Sequence, residues 1–198
     1  QTKDIGIKPT PTIGGVGLIL NYKDMITMDL KETGNILLVI GKTEGHLDQS
    51  LFSRDILNDK NGPPPEINLF NEKNNGETIL KLIDKKFVKA AHDVSLGGII
   101  TALSKMCIKG IKGATLKKPN YLINQFEYLF GEDQGRYIIE INKNDLKDVT
   151  KILTDSSVHF DELGTVNDDN LIINDKSKVL IDDLIKSHTT WLTNYMSK

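Results

Sequence analysis

Seven residues in the first quarter of the chain restrict its fold more than any other stretch. Residues 35 to 41 read Asn-Ile-Leu-Leu-Val-Ile-Gly, so five apolar residues follow one another without a polar break. A strand with one face in water alternates apolar and polar residues, whereas a near-continuous apolar run is typical of a strand covered on both faces. The stretch therefore predicts an internal strand that needs further structure on each side of its sheet.

Other periodic patterns supply the elements that would cover such a sheet. Further strands are predicted at residues 12–20, 87–91, 114–116, 136–141, 159–166 and 171–174, the last two as a strand pair joined by residues 167–170. Helical patterns cover residues 47–56, 68–86, 98–110, 120–130, 145–154 and 182–195. Strands and helices interleave without a strict βαβ rhythm, so we expect an α+β fold whose mixed β-sheet is sandwiched between helix layers (α/β/α).

Composition excludes several classes of protein. The chain has 198 residues, enough for one substantial core, and its net charge of -2 favours neither nucleic acid nor an anionic membrane as a partner. No apolar run approaches the roughly 20 residues that span a bilayer. The single cysteine, Cys107, cannot form an internal disulfide and falls on the apolar pattern of a helix, which fits a cytoplasmic location.

The segment from His92 to Gly98 combines polar residues with two adjacent glycines. It lies between a predicted strand and a predicted apolar helix and reads His-Asp-Val-Ser-Leu-Gly-Gly. Unpaired backbone N–H groups at a helix start can bind an anion, which makes His92, Asp93, Ser95, Gly97 and Gly98 candidates for ligand-facing residues. The same residues also suit a tight corner, and the pattern leaves both interpretations open.

Catalytic chemistry has little support from spacing. His92-Asp93, with His46 as the upstream histidine, could belong to a metal-dependent phosphohydrolase pattern, but those ligands normally lie on helices and this pair lies at a predicted strand end beside two glycines. Ser95 beside His92 lacks a recognisable oxyanion hole. Cys107 has no basic neighbour or helix N-terminus that would lower the pKa of its thiol. We therefore assign no catalytic residue and no metal ligand from spacing.

The loop Glu132-Asp133-Gln134 is a second concentration of polar side chains. Glycines flank it on both sides, and the strand predicted at residues 136–141 follows directly. Two carboxylates and an amide suit Mg²⁺ or a polar ligand. A solvated turn in which the aspartate caps local backbone explains the same residues equally well.

Taken together, these motifs resemble a known family. Ala-His-Asp-Val-Ser-Leu-Gly-Gly before an apolar helix, and Phe-Gly-Glu-Asp-Gln-Gly-Arg-Tyr before a strand, are similar to the C-terminal part of the phosphoribosylformylglycinamidine synthase family. Pro-Thr-Pro-Thr-Ile-Gly-Gly-Val-Gly-Leu near the start and Gly-Lys-Thr-Glu-Gly-His-Leu extend the likeness. The order and spacing of these motifs match over nearly the whole chain.

The resemblance implies a fold and a reaction. The implied fold is the C-terminal domain of the aminoimidazole ribonucleotide synthetase-like superfamily, which is partly ferredoxin-like. The implied reaction converts formylglycinamide ribonucleotide to formylglycinamidine ribonucleotide with ATP, Mg²⁺ and ammonia from glutamine. Preceding domains of the same synthetase, a separate glutaminase subunit and a small bridging subunit are the implied partners.

The resemblance also implies which parts do what. Residues 1–20 are expected to be a lead-in arm and linking strand from a preceding domain, and residues 21–198 the C-terminal domain, since the chain begins with Gln1 rather than Met. The family's reacting groups belong to earlier domains, so this part alone is expected to be inactive. Glu132, Asp133 and Gln134 are implied to face a nucleotide or substrate.

Leu96 stands where the family usually has Asp, so the turn at 92–98 is expected to be a corner at the edge of the cleft.

Two alternatives to this function remain open. One is the C-terminal half of a sister enzyme, such as aminoimidazole ribonucleotide synthetase or selenophosphate synthetase, and the other is a purely scaffolding interaction domain.

Overall fold

Among the residues that the structure describes, the strands form one mixed sheet of seven. The computed structural model describes residues 11–174 and 177–197. The strands are β1 (Ile36–Ile40), β2 (Val88–Val94), β3 (Gly113–Leu116), β4 (Arg136–Ile141), β5 (Phe160–Asn167), β6 (Asn170–Ile173) and β7 (Ser177–Leu180). Their order across the sheet is β2-β4-β1-β5-β3-β6-β7, and all neighbouring pairs are antiparallel except β3 and β6.

In the described part of the chain, six α-helices accompany the sheet. They are α1 (Leu51–Asp55), α2 (Leu69–Asp84), α3 (Gly98–Gly110), α4 (Gln125–Phe130), α5 (Leu146–Asp155) and α6 (Ile181–Met196), with short 3-10 turns at Tyr22–Asp24 and Lys143–Asp145. Polar caps define several helix starts, because a side-chain oxygen there accepts an otherwise unpaired backbone N–H. Asn68 caps α2 through the N–H of Asn71, as the sequence predicts, and Ser50 caps α1 through that of Ser53.

Both faces of the sheet are covered, which confirms the α/β/α prediction. Alternate residues of β1 enter two separate cores, with Leu37 and Val39 packed towards α3, α4 and α6 and the other three packed towards α2 and α5. Every residue of β1 is buried as a result. The continuous apolar run therefore records a strand that has no face in water.

Half of the sheet has the ferredoxin-like arrangement. The strands β2-β4-β1-β5 are all antiparallel, and they belong to two units, β1–α2–β2 and β4–α5–β5, whose helices lie on the same face. Helix α3, strand β3 and helix α4 are inserted between these units. The prediction of a partly ferredoxin-like sheet is confirmed.

The predicted strand at residues 12–20 is wrong for the part of the chain that the structure describes. Residues 11–20 have no regular structure, and the side chains of Val16 and Leu20 are 104% and 94% exposed. The apolar β-branched pattern lacks a neighbouring strand here, so no ladder forms. The rest of the predicted lead-in arm, residues 1–10, lies outside the described residues.

Three further predictions need correction. Strands β5 and β6 do not pair with each other, because β3 lies between them and bonds to both. Strand β2 continues to Val94, so His92 and Asp93 belong to the strand rather than to the turn. Helices α1 and α4 are shorter than predicted. The sequence does not predict strand β7, because its residues show no clear hydrophobic period.

Gly98 permits the closest approach between chain segments at the start of α3. Its φ angle is +68°, and a Cβ atom there would lie 2.7 Å from the carbonyl oxygens of Leu129 and Gly131. We expect Gly98→Ala to lower the free energy of unfolding by about 2–4 kcal/mol, because a left-handed alanine is strained and the neighbouring backbone cannot yield. Urea denaturation measures the loss.

Gly76 is the matched control for that substitution. It lies inside α2, where an added Cβ would have the Tyr137 hydroxyl at 3.7 Å as its nearest contact. Gly76→Ala should therefore raise the free energy of unfolding by about 0.5–1 kcal/mol. Equal urea midpoints for the two variants would show that the segments do not approach each other as described.

Candidate functional site

Glu132 joins two loops that are distant in the sequence. Its Oε1 atom accepts hydrogen bonds from the backbone N–H of Leu51 and of Gly97, both at 2.8 Å. Its own backbone N–H donates to the carbonyl of His46 at 2.8 Å. The two polar segments that the sequence singles out, residues 92–98 and 132–134, are therefore in direct contact through this carboxylate.

Asp133 holds the loop that follows β1. The side chain is largely buried, and its two carboxylate oxygens accept three backbone N–H groups, from Glu44 at 3.1 Å, Gly45 at 3.0 Å and His46 at 3.0 Å. Three backbone N–H groups that converge in this way form an anion-binding turn, and the anion they bind is the Asp133 carboxylate of the same chain. The loop 44–46 is consequently held in one conformation.

Arg136, the first residue of β4, lies beneath this carboxylate and is 1% exposed. Its guanidinium donates to the carbonyls of Gly131 at 2.6 Å and Asp133 at 3.2 Å, and to the hydroxyl of Thr43 at 3.1 Å. One nitrogen also lies 3.5 Å from the Asp133 carboxylate. Burial lowers the pKa of Arg136, but these contacts favour the charged form and offset part of that effect.

The corner between β2 and α3 contains a glycine in the left-handed backbone conformation. Gly97 has a φ of +82° and directly precedes α3. The ring nitrogen Nδ1 of His92 lies 2.7 Å from the backbone carbonyl of Asp93 and 3.1 Å from its carboxylate. Ser95 is exposed, and its carbonyl accepts the Gly98 N–H at 3.0 Å. The backbone N–H of Gly97 links this corner to the second polar loop by its hydrogen bond to the Glu132 carboxylate.

A cleft of about 660 Å³ opens beside this network. Its walls come from the loop after β1, the proline-rich loop before α2, the first two turns of α2 and the segment 133–135. Gln134 is the exposed member of the predicted trio, and its side-chain amide donates to the Glu132 carbonyl at 3.2 Å. The structure thus places Gln134 at the cleft and directs the carboxylates of its two neighbours at backbone amides.

The cleft carries mixed charge and many amides. Lys42 forms an exposed ion pair with Glu44, and Glu66, Glu72 and three asparagines also line the cleft. Within residues 11–174 and 177–197 no three His, Cys, Asp or Glu side chains converge in a way that could hold a metal ion. Cys107 is fully buried in α3, and burial raises its pKa to about 12, so its thiol is unsuited to nucleophilic chemistry.

Sequence reasoning did not single out several residues of this site. Arg136 enters the sequence analysis only as part of a strand and of a family motif, although an arginine at the start of an apolar strand signals a buried charge that needs partners. Asn71, Glu72 and Asn75 line the cleft, but their pattern in the sequence does not distinguish them from the exposed face of a helix.

Among the described residues, no helix is both long enough and apolar enough to cross a lipid bilayer.

The fold and this site define a class of protein. Residues 32–175 match the family model described as AIR synthase related protein, C-terminal domain. Because this match covers most of the chain, the chain belongs to that family.

The relatives narrow the class. The chain is 85% identical over 196 residues to the phosphoribosylformylglycinamidine synthase subunit PurL of Pelagibacter ubique (strain HTCC1062), covering 99% of this chain and 27% of that protein. It is 39% identical over 196 residues to the PurL subunit of Bartonella bacilliformis, covering 99% of this chain and 26% of the relative. The chain therefore spans about a quarter of the length of these curated relatives.

Solved structures share the fold at low identity. PurL of Thermotoga maritima complexed with FGAR superposes with a TM-score of 0.69 and 20% identity, covering 83% of this chain and 30% of that one. HypE of E. coli, a hydrogenase maturation protein, gives a TM-score of 0.57 at 17% identity, covering 79% and 52%. Proteins with different roles share this fold, so the likeness establishes architecture only.

Replacing Asp133 tests whether the network holds the loops. Asp133→Asn presents an amide NH₂ to backbone donors and leaves the buried guanidinium of Arg136 without its nearest carboxylate. We expect the free energy of unfolding to fall by about 2–4 kcal/mol. Asp84→Asn, at the exposed C-terminal end of α2, should change it by less than about 0.5 kcal/mol. Equal losses in urea denaturation would contradict the assigned role.

Proposed function

We propose that this chain is the C-terminal domain of a PurL-type subunit of phosphoribosylformylglycinamidine synthase. The observation that carries the proposal is the 85% identity over 196 residues to a subunit of that name. In this role the domain contributes one wall of a ligand cleft and turns nothing over by itself. The whole protein would form formylglycinamidine ribonucleotide from formylglycinamide ribonucleotide, ATP and ammonia in the cytoplasm.

A domain boundary near residue 21 agrees with this role. The segment 11–20 exposes the large apolar side chains of Ile13, Val16, Leu18 and Leu20, and its glycines 14, 15 and 17 have no atom near a would-be Cβ. Large apolar side chains that are exposed together mark a contact surface. We assign this segment as the arm that packs against the preceding domain of the same synthetase.

The site residues receive different roles in the proposal. Gln134 faces the ligand from the cleft, whereas Glu132 and Asp133 position the loops around it. His92, Asp93, Ser95, Gly97 and Gly98 form the corner that Glu132 holds through the Gly97 N–H, and none of these five residues is among those that line the cleft. ATP is proposed for the whole protein, and PurL of Thermotoga maritima has been solved in complex with ATP. Within the described residues no three His, Cys, Asp or Glu side chains converge, and Mg²⁺ is proposed, like ATP, for the whole protein.

The proposed partners are a glutaminase subunit and a small bridging subunit that supply ammonia. Their support is the resemblance together with the PurLQS structure of Thermotoga maritima, whose matching chain superposes with a TM-score of 0.63. We also propose that ammonium salts replace these partners in an assay, because ammonia is the nitrogen donor at the amide carbon.

A domain exchange tests the proposed function. The matching 196 residues of the Pelagibacter ubique subunit are replaced by those of this chain, and formylglycinamidine ribonucleotide is measured with ATP, Mg²⁺ and ammonium chloride. We expect the chimera to retain activity of the same order as the parent, because 85% identity preserves the interdomain contacts. A subunit that lacks the 196 residues, and the 198-residue chain alone, should both be inactive.

A soluble, folded chimera without activity would overturn the proposal. A truncated subunit that kept full activity would instead support the scaffolding alternative. Circular dichroism and gel filtration distinguish a misfolded chimera from an inactive one, so each result can be interpreted.

Gln134→Ala in the active chimera tests the ligand-facing role. Loss of one hydrogen bond to a bound ligand should raise the KM for ATP or for the ribonucleotide about threefold to tenfold without changing the thermal midpoint. Asn144→Ala is the matched control, since Asn144 is exposed and lies beyond the opposite end of β4. Unchanged KM values for both substrates would remove Gln134 from the ligand site.

A further inference from the structure

A second cavity, of about 270 Å³, lies apart from the cleft. It is bordered by the segment that follows β3, by helix α4 and by the end of β6, and none of its lining residues lines the cleft. Its apolar lining residues include Leu116, Ile123, Leu129 and Ile173. The volume lies just below the range of about 300 to 1,000 Å³ that is usual for ligand pockets, so a ligand here must be compact.

Tyr128 lines this cavity, and its hydroxyl is the feature that suggests a ligand. The residue is 3% exposed, and its hydroxyl has no hydrogen-bond partner among the residues that the structure describes. Within the same residues, Asn170 Oδ1 is the only fully buried side-chain oxygen or nitrogen that lacks a partner. The Tyr128 hydroxyl must therefore reach open space, and the cavity is the pocket that this residue lines.

The protonation state of Tyr128 makes it a donor. Burial raises the pKa of the phenol, and the nearby Tyr121 and Asp161 add to that effect. The hydroxyl consequently stays protonated at neutral pH and can donate to an acceptor. A polar group that is nearly buried without a partner costs free energy, and a bound acceptor would recover it.

The other polar groups around the cavity include two lysines and two side-chain amides, and all four can donate hydrogen bonds. Lys117 pairs with Glu162, whereas Lys118 takes part in no ion pair within the described residues. The amide side chains of Gln125 and Asn174 are also part of the polar lining. A lining that combines a cation and a phenol O–H with aliphatic side chains matches a ligand with an anionic end and a flat apolar body.

We propose that this cavity binds a small aromatic anion, whose ring packs against Ile123, Leu129 and Ile173 and whose anionic group meets Lys118 and the Tyr128 hydroxyl. The site is separate from the cleft and does not depend on the proposed synthase role. Its ligand is therefore an additional one, with the chemistry of a compact aryl phosphate or aryl carboxylate.

Titration of the 198-residue chain with phenyl phosphate tests the proposal, with phenol and inorganic phosphate as matched probes. Isoleucine methyl groups are labelled with ¹³C, and NMR follows Ile123 and Ile173. We expect phenyl phosphate to shift both methyl signals with a Kd of about 1 mM or below, corresponding to roughly 4 kcal/mol of binding free energy. Phenol and phosphate should each bind at least about fivefold more weakly, since each lacks one half of the recognised ligand.

Variants assign the polar contacts. Tyr128→Phe and Lys118→Gln should each weaken phenyl phosphate binding about fivefold or more, because each removes one donor to the anion. Lys109→Gln, on the exposed side of α3, should leave the affinity unchanged. If Tyr128→Phe does not fold, Lys118→Gln decides alone, because Lys118 is exposed and its replacement leaves the core intact.

Three results would overturn the proposal. They are an absence of methyl shifts up to about 10 mM phenyl phosphate, well above the expected Kd, an equal affinity for phenol, and an unchanged affinity in the Lys118→Gln variant. None of them would affect the domain exchange, so this proposal and the proposed function can fail separately.

Discussion

Two buried charges in β4 govern how the rest of the structure is arranged. The strand lies inside a three-layer sandwich, so Arg136 and Glu140 cannot be hydrated, and an unpaired buried charge would be very costly. Arg136 meets backbone carbonyls and Asp133 at one end of the strand. Glu140 accepts the N–H of Lys31 at 2.8 Å and of Glu32 at 3.0 Å and the Asn35 amide at 2.6 Å. Each charge thereby holds the loops at its own end of the sheet.

This arrangement determines what the site can offer a ligand. Both oxygens of Asp133 and one oxygen of Glu132 already accept backbone N–H groups, so these side chains shape the loops around the cleft. Gln134 is exposed between these two residues and β4, so its side chain can contact a bound molecule. A rigid set of loops beside an open cleft suits a domain that completes a binding site, since preorganised walls reduce the entropy that a ligand must lose on binding.

The fold and the function rest on different observations. PurL and HypE structures share this architecture at 20% identity or less, and the architecture therefore does not select an activity. The 85% identity to a PurL subunit supports the proposed synthase role, whereas the second cavity rests on its own residues, above all on the buried phenol of Tyr128. The two proposals concern separate surfaces of the domain.

The sequence by itself determined the elements and their layering. The apolar run of β1 required two covered faces, and the periods of α3, α5 and α6 and the cap at Asn68 placed those helices nearly correctly. Local pattern encodes such features, because burial repeats with the period of the element. Only the tertiary structure decided that β3 lies between β5 and β6 and that Asp133 accepts hydrogen bonds from backbone amides 87 to 89 positions earlier. It also decided that residues 11–20 form no strand with any part of the chain that the structure describes. Contacts over such separations leave no local period in the sequence, since they depend on which surfaces meet once the chain has folded.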